Sequence, residues 1–234
     1  MKIRIKFCKY GAMKFIGHLD IMRYFQKAIR RAQLPVAFSG GYSPRIIMSF
    51  ANPLGVGVTS EGEYFDIELL EPLSSKEIID RLNAVMVEGM DIINVVEISD
   101  DKKKTGMSIV AAADYVSSLR HGTLPDNWKE KIHTFLEQPE ILIDKKTKKN
   151  QREVDIRPMI YDCHVQADSI YMKIATGSVE NLKPSLVMEA FTTYLGIAFK
   201  EVTFTHHRLE VYANSGTDDA KEFIPLEALG TVME

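Results

Sequence analysis

His18 and Asp20, two residues apart in "GHLD", are the pair best placed to move protons, because a carboxylate can orient an imidazole that titrates near neutrality. The same four residues also open a helix, where Asp20 can accept from backbone N–H groups left free in the first turn. No nucleophile accompanies the pair. Further along, Arg23, Lys27, Arg30 and Arg31 recur at helical spacing, forming a basic stripe suited to a polyanion. Arg4 and Lys6 on the preceding strand are expected to add to its field. "FSGGYSPRIIMSF", Phe38 to Phe50, is longer than a strand reversal needs. Gly40, Gly41 and Pro44 can fix Tyr42 for stacking on a base and Arg45 for a phosphate. The alternative is a structural crossing loop packed under the second helix.

Asp155 and Arg157 in "EVDIRPMI" fall on one face of a strand, as an ion pair or as ligand contacts. Glu61, Glu63 and Asp66 in "SEGEYFD" are the candidate set for a hard cation, with solubility the competing explanation. His206 and His207 are adjacent on a strand and point apart, so they cannot jointly chelate. Cys8 and Cys163 have no partners at metal-ligand spacing and read as small buried hydrophobes. No metal site is expected.

The elements that must position these residues follow from periodicity. "KIRIKF" alternates as a strand, and "HLDIMRYFQKAIRRA" places Leu19, Met22, Phe25, Ile29 and Ala32 at helical spacing before Pro35 ends the helix. "VAFS" and "EYFDIELL" read as strands, "SSKEIIDRLNAVM" as a helix capped by Ser74 or Ser75, and "DIINVVEI" as a strand. The order is β-α-β-β-α-β. After the charged linker "SDDKKKTG" it recurs: "AADYVSSL", the helix "PDNWKEKIHTFLEQ", strands at "EVDIRPMI", "YDCHVQA" and "SIYMKIAT", the helix "KPSLVMEAFTTYLGI" and the strand "KEVTFTHHRLEVY". The fold expected is α+β: two tandem ferredoxin-like (βαββαβ) units with antiparallel sheets. They span 1–101 and 106–213, the second enlarged by a hairpin around "DKKTKKNQR", with a weakly patterned tail over 214–234.

With 234 residues, 45% of them apolar, the chain can bury a sizeable core. No apolar run approaches the roughly 18 residues of a spanning helix, and "MKIRIKFCKYG" lacks the continuous apolar stretch of a signal peptide, so a cytoplasmic protein without a membrane partner is expected. The net charge of −3 argues against indiscriminate coating of nucleic acid. It conceals a division: residues 1–51 carry ten basic side chains against Asp20 alone, and residues 52–101 carry twelve acids against Lys76 and Arg81.

The first seventy residues, with "HLD", "GGYSP", "SFA", "LGVGV" and "SEGEYFDIEL" in this order, resemble the N-terminal signature of the radical-SAM-linked protein family, and "REVDIRPMI" resembles that family's second-half hallmark. "YSPRII" departs from the more polar run of many members, which puts ligand contacts at Ile46 and Ile47 in doubt. The resemblance implies a partner, a radical SAM protein fused to or encoded beside such domains, and transfers no catalytic residues. A cluster of that kind needs three grouped cysteines, so this chain is expected to hold no cofactor. The function expected is a recognition module, non-catalytic and binding a structured RNA, with His18, Asp20, Arg23, Lys27, Arg30, Tyr42, Arg45, Asp155 and Arg157 as its contacts. The alternatives are an enzyme using His18, Asp20 and the acidic segment, or a protein-docking domain.

Overall fold

A computed structural model describes residues 1–101, 106–146 and 151–234. The fold is mixed α+β, rich in antiparallel strand pairs and with few helices. It divides into two compact units, one of Met1–Ala112 with Arg208–Glu234, the other of Ala113–His207. This division differs from the expected one at 101/106 and 213/214, because residues 208–234 belong with the start of the chain. Residues 102–105 of the expected linker and 147–150 of the expected hairpin tip lie outside the described residues.

The first unit opens with β1 (Lys2–Lys9), α1 (His18–Arg31), β2 (Met48–Ala51), β3 (Thr59–Glu68), α2 (Ser75–Asn83) and β4 (Ile92–Ile98). β1 pairs antiparallel with both β3 and β4, and β2 pairs antiparallel with β3. Alternation in β1 turns Ile3, Ile5 and Phe7 to the core, where the Phe7 ring meets Phe25 of α1 edge-on at 4.7 Å and Phe65 of β3 at 5.7 Å. α1 buries Ile21, Phe25, Ala28 and Ile29, while Leu19 is exposed. Ser74 caps α2 by accepting from the Glu77 N–H. The short α3 (Gly106–Ile109) closes this stretch.

"VAFS" does not form the expected second strand. Val36 and Phe38 make isolated bridges to Leu69 and Ile46, and the ladder beside β3 is made by Met48–Ala51, inside the segment expected to be a loop. Pro35 and Pro44 lack the N–H a regular ladder needs and flank the short run Val36–Ser43 with its two glycines, whereas Met48–Ala51 lies clear of both prolines.

The second unit contains most of β5 (Val110–His121), α4 (Trp128–Leu136), the hairpin β6 (Leu142–Lys146) with β7 (Gln151–Asp155), β8 (Ile160–Gln166), β9 (Ser169–Ala175), α5 (Pro184–Tyr194) and the first half of β10 (Thr203–Asn214). Its strand order is β10-β5-β9-β8, with β6 and β7 forming a separate two-stranded sheet. "EVDIRPMI" is not one strand, since β7 stops at Asp155 and Arg157–Met159 is a 3-10 turn around Pro158.

The expected tail is an integral part of the first unit. β11 (Phe223–Pro225) pairs antiparallel with Tyr212–Asn214 of β10, and a 3-10 turn over Leu226–Leu229 follows, with Leu226 fully buried.

Candidate functional site

Gly17 in extended conformation precedes α1, so the helix begins without a side-chain cap and His18 occupies its first turn. The His18 ring packs edge-on to Phe50 at 5.1 Å, and burial lowers its pKa against an opposing pull from Glu63. Asp20 lies on the exposed side, 3.2 Å from the Arg23 guanidinium. Among the described residues no hydrogen bond joins His18 to Asp20, so the expected acid/base pair is not formed.

The α1 stripe has two kinds of cation. Arg23 is taken up by Asp20, and Arg31 donates to the Val85 carbonyl at 3.1 Å. Lys27 and Arg30, one turn apart and exposed, have no acidic neighbour on the helix. Arg4 and Lys6 do not add to this field. They alternate with the core-facing Ile3, Ile5 and Phe7, and so lie on the sheet face turned away from α1.

The loop between α1 and β2 is a narrow hairpin. Arg45 N–H donates to Ser39 Oγ at 3.0 Å, Ser39 N–H donates to the Arg45 carbonyl at 2.8 Å, and Ile46 anchors the base in the core. Gly41, with φ of +99°, takes the left-handed bend at the tip. Tyr42 beside it is fully exposed, which excludes a tip packed under the second helix. Phe38 and Ile47 are also exposed on this hairpin.

A second constellation was not foreseen as one. Lys9 closes β1 with no exposure and donates to the Ile16 carbonyl at 3.0 Å just before α1. Burial lowers its pKa, Glu63 raises it and Arg208 lowers it, so the three charges share one environment. Arg208 of β10 is wholly buried, pairs with the Glu63 carboxylate and donates from both terminal nitrogens to the Asn52 carbonyl at 3.1 Å. Asn52 holds a left-handed φ of +45°, which aims that carbonyl. "CKYG", "HLD", "SFAN" and "SEGEY" thus meet at one end of the helix-covered sheet face. The signal available beforehand was Arg208 and Glu210, two charged residues interleaved with Leu209 and Val211 in one strand.

The opposite face carries a third set of charges. The Arg4 guanidinium binds the Asp66 carboxylate through Nε at 2.8 Å and Nη2 at 3.0 Å, and donates from Nη1 to the Leu226 carbonyl. The Asp66 carboxylate also accepts from the Gly106 N–H at 2.8 Å. Lys6 lies 2.6 Å from both Glu210 and Glu227, which hold its pKa up although burial opposes them. Tyr64 donates to Glu210 at 2.7 Å, and its hydroxyl pKa is driven far upward by burial and by that carboxylate. The candidate cation ligands therefore diverge: Glu63 is bound to Arg208 and Asp66 to Arg4 on opposite sheet faces. Among the described residues no cluster of His, Cys, Asp and Glu can hold a metal.

Asp155 and Arg157 make no ion pair with each other. Asp155 Oδ1 accepts from the Ile141 and Arg157 backbone N–H groups at 2.8 and 2.9 Å, and the Arg157 guanidinium donates to the Leu136 and Ile160 carbonyls. Both fasten the turn after β7. His206 Nδ1 lies 2.8 Å from Ser117 Oγ, and burial depresses its pKa to about 4. Both cysteines are buried free thiols, pushed up by burial to about 11 at Cys8 and about 12 at Cys163. Among the described residues no helix is long and apolar enough to cross a membrane.

A mixed α+β fold with antiparallel pairing, buried ion pairs and an exposed basic helix defines the class of protein at hand. The family model described as "Uncharacterized protein conserved in bacteria (DUF2344)" matches residues 2–184, and the chain belongs to that family. The description names no radical SAM partner. No curated protein matches the chain. Among solved structures it is similar to a chain of "Crystal Structure of a Cbf5-Nop10-Gar1 Complex", at 12% identity and a TM-score of 0.48, over 89% of this chain and 48% of that one. The chain therefore spans about half the length of that neighbour.

Proposed function

We propose that this protein is a cytoplasmic recognition module that binds a structured RNA through α1 and the Ser39–Arg45 hairpin, and that it serves a radical SAM enzyme. The observation that carries the RNA reading is the combination on one segment of Lys27 and Arg30, exposed without an acid beside them, and a fully exposed Tyr42 held by Gly41 at the hairpin tip. Cations supply sequence-independent phosphate contacts, and an exposed aromatic supplies a stacking platform for an unpaired base. The partnership is supported by the order of the N-terminal motifs, and the cytoplasm by two free buried thiols. The strand order in each half supports reading them as tandem ferredoxin-like units: β4-β1-β3 with β2 on the far side of β3, and β10-β5-β9-β8.

The test is the affinity of the full chain for a structured RNA hairpin between about 50 and 200 mM salt, where a phosphate-contacting protein shows a steep log–log slope. Arg30→Ala is expected to weaken binding and reduce that slope by about one unit. Tyr42→Ala is expected to lose about 1–3 kcal/mol of affinity. Because Tyr42 packs against nothing, its thermal stability should match the wild type. Unchanged affinity in both folded variants refutes the site, and absence of wild-type binding at low salt refutes the RNA reading.

A further inference from the structure

The buried constellation beside the start of α1 carries more positive charge than negative. Lys9, Glu63 and Arg208 are all buried, and Arg208 is paired with Glu63, so the Lys9 ammonium is the charge in excess. Among the described residues Lys9 has one hydrogen-bond partner, the Ile16 carbonyl at 3.0 Å, and its other ammonium N–H groups have no acceptor. Glu63 is the one acid whose charge acts on it. Residues 102–105 and 147–150, outside the description, contain no aspartate or glutamate and so supply no second acid. A buried cation answered by a carbonyl alone is costly, and an anion from outside the chain relieves that cost.

The hydrogen bond made by Lys9 also fixes where that anion stands. Ile16 immediately precedes Gly17, the N-cap of the 14-residue α1, and Gly17 brings no side-chain cap. The Asp20 and Ile21 N–H groups turn back to the Gly17 carbonyl, while among the described residues those of His18 and Leu19 have no acceptor. Asp20, the acid of this first turn, is engaged by Arg23 at 3.2 Å. The half-buried His18 adds an imidazole at the same place, and a Cβ built on Gly17 meets nothing within 4 Å, so the cap is open. Free amides, an imidazole and the positive end of a helix dipole, backed by a buried ammonium, match the oxygens and the charge of a phosphoryl group.

We infer that the N-terminus of α1 binds a phosphoryl group through the His18 and Leu19 amides and the His18 ring. Lys9, wholly buried, attracts it from beneath as a positioning charge and does not touch it. The inference is independent of the RNA reading, because its probe is inorganic phosphate. The ¹⁵N-labelled full chain is titrated with phosphate against chloride at constant ionic strength, and the His18 and Leu19 amide resonances are followed. Saturable shifts are expected. Gly17→Asp sets a carboxylate cap over the same amides and should weaken phosphate binding at least about tenfold while Tm stays at or above the wild-type value. Lys9→Met leaves Arg208 and Glu63 as a balanced pair and should weaken it at least about threefold. Val179→Asp makes the same charge change as Gly17→Asp at an exposed residue of the other unit and should leave affinity unchanged. An RNA hairpin with and without a 5′-phosphate identifies the source: tighter binding of the phosphorylated form that Gly17→Asp removes assigns the group to an RNA end, and equal binding assigns it to a small phosphorylated molecule. No saturable shift at His18 and Leu19, equal losses in Gly17→Asp and Val179→Asp, or full phosphate affinity in folded Lys9→Met overturns the inference.

Discussion

Replacing Glu63 by Gln should be among the most damaging single changes available to the first unit. Glu63 is 3% exposed, and the two cations that share its surroundings, Arg208 and Lys9, are both at 0%. Loss of the carboxylate removes the negative charge that two buried cations share, although Arg208 keeps its bonds to the Asn52 carbonyl and Lys9 its bond to the Ile16 carbonyl. Breaking a buried pair in this way costs about 3–5 kcal/mol, which for a chain of this size lowers Tm by roughly 6–20 °C. The same reasoning fixes the sign of a coupling. Arg208 and Lys9 repel, so adding Lys9→Met to Glu63→Gln should relieve part of the damage, and the double variant should lie about 0.5–3 kcal/mol above the sum of the singles. Urea and thermal unfolding followed by circular dichroism measure all four proteins. A Glu63→Gln protein within about 1 kcal/mol of wild type, or strict additivity with Lys9→Met, would refute the shared-charge account.

His206 is depressed to about 4 from an ordinary 6.5, so between those values only the unfolded chain takes up the proton. Its contribution is complete above pH 6.5 and declines as pH falls toward 4, by up to about 3 kcal/mol. His206→Gln should flatten that part of the stability profile, and identical slopes in both proteins would dismiss the effect. Gly62→Ala places a Cβ 2.7 Å from both the Glu210 Cα and the Leu209 carbonyl oxygen, where only backbone movement makes room. It should cost about 1–3 kcal/mol in urea unfolding, and a neutral result would show that β10 yields there.

The order of elements was legible because β1, α1, α2 and β4 each carry a clean period: Ile3, Ile5 and Phe7 alternate, and Phe25 and Ile29 fall one turn apart. The second strand was misplaced because "VAFS" and "IIMSFA" are equally strand-like, and the choice was made by proline positions and by pairing with β3. Spacing puts Leu19 with Phe25 and Ile29, yet Leu19 is exposed and Ile21 and Ala28 complete the buried stripe. The basic residues of α1 were visible, but the face occupied by Arg4 and Lys6 was not, since alternation gives two faces without saying which one the helix covers. The Lys9–Glu63–Arg208 constellation is assembled from residues up to 199 positions apart and depends on β10 returning to the first unit. Local pattern holds no record of that return.

That return also orders events in time as the chain is made. One of the two carboxylate partners of Lys6, Glu227, leaves the ribosome 221 residues after it, and the Leu226 carbonyl reaches Arg4 at a separation of 222. At about 5–20 residues per second that interval is roughly 10–45 s. Residues 113–207 are contiguous and can complete their own unit within it. Until then β1 has Asp66 for Arg4 but lacks Glu227 for Lys6, so a pause, truncation or bulky fusion near Glu227 would fall on a residue synthesised 221 positions earlier.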